Sequence, residues 1–75
     1  MNKTRRKALE KVQDKLLEAQ ADLQWIREEE EDAFDNLPES LQDSEKGESM
    51  QEAISTMEEI DSSIQDAIDN LSELV

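Results

Sequence analysis

The chain has no cysteine, no histidine and no tyrosine, and it carries only one glycine, one proline, one tryptophan and one phenylalanine. These absences exclude disulfide staples, Cys/His zinc sites, thiol chemistry and any side chain whose ordinary pKa lies near neutrality. Catalysis would have to rest on carboxylates and hydroxyls. The hydroxyls of Ser55, Thr56, Ser62 and Ser63 have no lysine or histidine at helical spacing to activate them. The expectation is therefore a non-enzyme without cofactor or metal. Long apolar runs are missing as well, and none approaches the roughly 20 residues that a membrane span needs. The opening MNKTRRKALEKVQDKLL is basic but lacks the uninterrupted apolar stretch and small-residue cleavage pattern of a secretory signal. A cytoplasmic location without membrane contact is the corresponding expectation.

Positive charge is also scarce. Eight Lys and Arg stand against 21 Asp and Glu, for a formal net charge of −13 over 75 residues. The imbalance is not uniform: residues 1–16 carry a net +4 and residues 17–75 a net −17. A chain this short seldom stabilises itself on one core, so stability has to come from well-formed helices or from association.

Helical patterning is plain. Leu9, Val12, Leu16, Ala19, Leu23, Ile26, Glu30 and Ala33 alternate spacings of three and four, and Met50, Ala53, Met57, Ile60, Ile64, Ala67, Leu71 and Leu74 share that rhythm. Each stripe spans about four heptads and implies a rod roughly 40–45 Å long. Asn36-Leu37-Pro38 ends the first helix, because proline disfavours the helical conformation in the residue before it. Residues 38–42 suit one short turn, capped by Asn36, with Leu41 folded over the end of the bundle. Ser44, followed by Glu45 and Glu48, is the preferred start of the second helix; Ser49-x-x-Glu52 is the alternative.

The predicted fold is all-α: one domain with a helix at about 3–34, an acidic turn at 35–43 and a helix at about 44–74. A connection of some ten residues implies an antiparallel two-helix hairpin. Folding about residue 40 pairs positions whose numbers sum to about 80, so that Leu16 meets Ile64, Leu23 meets Met57 and Ala33 sits beside Gly47. The predicted core is Leu9, Val12, Leu16, Ala19, Leu23 and Ile26 against Met50, Met57, Ile60, Ile64, Ala67 and Leu71. In this arrangement Lys3, Arg5, Arg6, Lys7, Lys11 and Lys15 lie beside Asp66, Asp69 and Glu73, a pairing that favours antiparallel alignment more than it stabilises.

The apolar surface is wider than one helix seam requires. Leu17, Ala21 and Trp25 form a second line on the first helix, and Ile54, Ile68 and Val75 flank the stripe on the second. Surplus of this kind marks a site for a partner. One reading is a homodimer, two hairpins forming a four-helix bundle. The other is a face for a different protein, with Leu17, Ala21, Trp25, Ile54 and Ile68 as contact residues and Trp25 as anchor.

A third feature is the acidic surface of Glu28, Glu29, Glu31, Asp32, Asp35, Glu39, Asp43, Glu45 and Glu48. Such charge runs usually form a solvated face. A rigid rod with rows of carboxylates can also imitate a phosphate backbone and occupy a basic nucleic-acid-binding cleft. Direct nucleic-acid binding is disfavoured by the overall negative charge and by the lack of aromatics interleaved among the lysines. Glu30 occupies a seam position, where its carboxylate is expected to cap the start of the second helix. The segment Asp43-Ser44-Glu45-Lys46-Gly47 does not match calcium-loop spacing, since its glycine comes one position early and Ile54 replaces the bidentate glutamate.

The basic start, the junction AFDNLPESLQ at residues 33–42, the S-E-K-G-E that follows at 44–48 and the second amphipathic helix together resemble small uncharacterised acidic proteins of Firmicutes phages and mobile elements. The resemblance implies an accessory protein that acts on a host protein. It assigns no activity and carries over no functional residues.

Overall fold

The computed structural model describes all 75 residues. It is all-α, 87% helical, without strands and elongated, with extents of 58 × 15 × 12 Å. Helix α1 runs Lys3–Asp35, α2 is the single turn Glu39–Gln42, and α3 runs Glu45–Ser72. Each long helix begins at a side-chain cap. The Asn2 side chain accepts from the Arg5 amide at 2.8 Å, and the Ser44 hydroxyl accepts from the Gly47 amide at 3.5 Å. These caps satisfy amide groups that have no carbonyl partner within the helix.

The junction differs from the expectation in its details. Asn36 closes α1 at its C-terminal end, and Pro38 occupies the residue before α2 without a side-chain cap. Gln42 does the joining instead. Its Nε2 donates to the carbonyls of Leu37 at 3.1 Å and Phe34 at 3.4 Å, satisfying acceptors freed where α1 ends. Leu37 is half-buried, whereas Leu41 is left exposed rather than covering the end of the rod. Gly47 is buried, with the backbone of Leu41 and Gln42 nearest to where a side chain would stand, and Ala33 is exposed.

Helices α1 and α3 pack along their length. Gln13 Nε2 donates to the Ile68 carbonyl at 3.2 Å and to the Ser72 hydroxyl at 2.8 Å, and Gln20 Nε2 donates to Gln65 Oε1 at 2.9 Å. The bonded positions have numbers summing to 81–85, so α3 runs back along α1 in a register up to five residues beyond the expected one.

The seam itself is rotated. On α1 the half-buried positions are Leu9, Gln13, Leu16, Gln20, Leu23, Arg27, Glu30, Glu31 and Phe34, while Val12, Ala19 and Ile26 are exposed. On α3 the seam takes Ile54, Asp61 and Ile68 and leaves Ile60 exposed. Both helices therefore turn one flank of the apolar stripe inward and the other outward. The inward flank carries the bulk of Phe34, Ile54 and Ile68; the outward flank alternates large residues with alanine. Turning that way covers three large side chains at the cost of admitting Gln13, Gln20, Arg27 and Asp61.

Little of the molecule is truly interior. Gly47 and Ile68 alone are buried, Ile68 at 6% exposure, and no side chain is fully enclosed. No helix is long and apolar enough to cross a membrane.

Candidate functional site

Three surfaces emerge from this geometry. The first is the outer side of α1. Leu17, Ala21 and Trp25 follow at four-residue intervals, and all three are exposed, Trp25 at 62%. Four residues advance a helix by about 400°, so the line drifts slowly around the back of α1, away from α3. Ile54 and Ile68 do not join it. Ile68 is the most buried apolar residue and Ile54 is half-buried, because the rotation of α3 draws that flank into the seam. The expected contact set therefore divides: Leu17, Ala21 and Trp25 are accessible, whereas Ile68 and Ile54 belong to helix packing.

The second surface is the acidic end of the rod. Glu28, Glu29, Asp32, Asp35, Glu39, Asp43, Glu45 and Glu48 are all exposed, and Glu31 is half-buried. The single ion pair of the molecule joins Arg27 Nε to Glu31 Oε1 at 3.6 Å, one turn apart on α1. Arg27 Nε is out of water and makes no hydrogen bond. The expected pairing of the basic N-terminal residues with Asp66, Asp69 and Glu73 is not formed, and Asp69 instead accepts from Gln65 Nε2 at 3.0 Å. The cross-helix bonds of Gln13 and Gln20 replace those ion pairs. Glu30 lies half-buried in the seam and accepts no amide from the start of α3, where Ser44 supplies the cap. No group of three carboxylates is placed to hold a metal ion.

Rotation of the seam creates the third surface, three of whose large residues, Val12, Ile26 and Ile60, were expected in the core. Val12 and Ile26 on α1, with Ile60 near the middle of α3 and Leu74 two residues past its end, are between 43% and 50% exposed. They occupy equivalent heptad positions, three residues after the seam residues Leu9, Leu23, Met57 and Leu71. Two helices running in opposite directions are related by a local two-fold perpendicular to their common plane, and that rotation keeps equivalent positions on the same broad side. The four large residues therefore line one apolar face spanning both helices. The signal was present in the sequence as a stripe too wide for one seam, but periodicity alone did not say which flank would remain outside.

Hollows on the surface are shallow. One follows α3 at Glu48, Gln51, Glu52, Ser55 and Thr56, and the other surrounds Val12 with Lys7, Lys11 and Lys15 on α1. Each is formed by one helix, so neither encloses a small molecule. No protein-family model, curated protein or solved structure matches the chain.

Proposed function

We propose that the chain is a non-catalytic protein–protein interaction module: a helical hairpin that works as a homodimeric four-helix bundle and binds a further protein through Leu17, Ala21 and Trp25. Its likeness to acidic phage and mobile-element proteins makes the further partner a host protein met in the cytoplasm. One observation carries the reading, namely that the apolar surface outweighs the apolar core. Ile68 is the one buried large apolar residue, whereas Trp25, Leu17, Ile26, Val12 and Ile60 lie in contact with water. Surplus apolar surface on a chain this small supports association. Trp25 is the natural anchor, since tryptophan is enriched among residues that dominate binding energy. Capturing partners from host extract with the wild-type chain and with Trp25→Ala tests the idea. A partner retained by the wild type, lost with Trp25→Ala and indifferent to salt is the expected result; equal capture by both removes Trp25 from the site.

A second reading has its own support. The acidic end presents eight exposed carboxylates without a paired cation, on a rigid rod. Under this reading the chain is an anionic decoy for a nucleic-acid-binding protein. Capture that collapses as salt rises and when duplex DNA is added would favour the decoy over the apolar contact.

A further inference from the structure

The outward apolar face has an order along its length that points to what covers it. Positions whose numbers sum to 86 lie near one another across the two helices, one residue beyond the Gln13–Ser72 and Gln20–Gln65 pairs and five beyond Gln13–Ile68. Val12 is then level with Leu74, and Ile26 with Ile60, giving two large levels. Ala19 with Ala67 and Ala33 with Ala53 give two small ones. Large and small levels alternate every seven residues, about 10.5 Å apart. A two-fold axis through the midpoint of the face, crossing the rod between residues 22 and 23, exchanges the first level with the fourth and the second with the third. Every large level of one copy would then meet a small level of the other, the arrangement in which facing layers interlock without voids.

We propose that this face is closed by a second copy of the chain lying antiparallel to the first, with α1 over α1 and α3 over α3. The proposal rests on the homodimer reading above and specifies which surface forms the contact and in which direction. Charge agrees with it. The hollow around Val12 is rimmed by Lys7, Lys11 and Lys15, and the two-fold places it over the second copy's Ala33, which is flanked by Glu29 and Asp32. Lys15 of each copy comes beside Glu29 of the other. The edge of the face on α3 is Ser49, Thr56, Ser63 and Asn70, an uncharged line on an otherwise acidic helix, so two copies of α3 can approach without facing carboxylates. A parallel arrangement would instead stack large levels on large ones and bring together the two acidic ends.

The extent is sufficient. From Val12 to Ala33 the face is about 32 Å long at 1.5 Å per residue, and the pair of helices is 15 Å wide. Two copies would withdraw on the order of 1,000 Å² from water, at the lower end of specific interfaces.

Two measurements on the full chain test the proposal. The first is dimerisation affinity by sedimentation. Ala19→Ile would collide with the second copy's Ile26 level and is expected to weaken dimerisation roughly ten- to hundredfold. Adding Ile26→Ala in the same chain should restore affinity to within a few fold, because the two-fold pairs the two positions. In a parallel dimer Ala19→Ile would fill a gap and tighten association, a result that overturns the proposed direction. The second measurement uses the absence of native cysteine. A tagged Lys15→Cys chain mixed with an untagged Glu29→Cys chain should give a hetero-crosslinked product with a short bis-maleimide. The Lys15→Cys and Asn70→Cys mixture should give none. A dimer that crosslinks only through the second mixture refutes the antiparallel contact while leaving the homodimer reading standing. A chain that stays monomeric at tens of micromolar refutes both.

Discussion

Replacing Gly47 by alanine sets two effects of known sign against each other. Gly47 lies in the first turn of α3 with an ordinary helical backbone, so on propensity alone alanine would stabilise by about 1 kcal/mol. Space decides otherwise. A Cβ at this position would overlap the Gln42 carbonyl oxygen and stand 2.5 Å from its carbon and 2.7 Å from the Leu41 oxygen. All three are backbone atoms, so no side-chain rotation relieves the contact, and α2 has to move away by more than 1 Å. Overpacking of this kind costs about 1–3 kcal/mol. The same movement pulls Gln42 from the carbonyls of Phe34 and Leu37, two hydrogen bonds worth about 1 kcal/mol each. The net is a loss of about 2–4 kcal/mol, which for a chain of this size lowers the melting temperature by at least roughly 8–15 °C. Thermal unfolding followed by far-ultraviolet circular dichroism reads the shift, with Ser55→Ala on exposed α3 surface as the control that should change little. A melting temperature equal to or above the wild type for Gly47→Ala would mean that α2 does not press on α3, and the account of the junction would fail.

Other expectations concern the seam and the surfaces. Arg27→Leu sets the recovery of an out-of-water donor without a hydrogen bond, about 1 kcal/mol or more, against the loss of the Glu31 ion pair, about 0–1 kcal/mol, so the melting temperature should rise by no more than a few degrees in the same assay. Gln13→Ala should lower it by a comparable amount, because the bonds to Ile68 and Ser72 tie α1 to α3. Trp25→Ala should leave stability within about 0.5 kcal/mol, its side chain being largely in water, while abolishing partner capture. Stability should also rise with salt: Glu28 to Asp32 repel one another at the end of α1 whose dipole already disfavours anions, and screening relieves both effects. A melting curve that moves downward between low and moderate salt would contradict that balance.

Helix existence was legible because the three-four spacing is unbroken and punctuation is confined to residues 36–47. Ser44 was readable as the start of α3 from its hydroxyl and the acidic residues after it. The inward flank was not readable. Val12, Ile26 and Ile60 satisfy the apolar period better than Gln13, Arg27 and Asp61, yet the second set lies at the seam. A stripe wide enough for two contacts scores the same whichever contact forms within the chain, and the flank left outside, with Val12, Ile26, Ile60 and Leu74, is no less bulky than the one with Phe34, Ile54 and Ile68. The part of Gln42 was equally hidden. A glutamine just after a proline turn is ordinary in composition, and only the folded junction brings its amide to the carbonyls of Phe34 and Leu37 on either side of the end of α1. On the candidate surfaces, exposure of Trp25 and Leu17 followed from their offset from the stripe. Burial of Ile68 did not, because it depends on the same rotation.

The rod keeps little apolar surface to itself, and the proposal is that association completes it. Sedimentation equilibrium of the untagged chain across micromolar concentrations tests that statement most directly. A mass near twice 8.6 kDa, falling toward the monomer value for Ile26→Lys, is the predicted outcome. A well-folded, cooperatively melting species of 8.6 kDa at every concentration would contradict it.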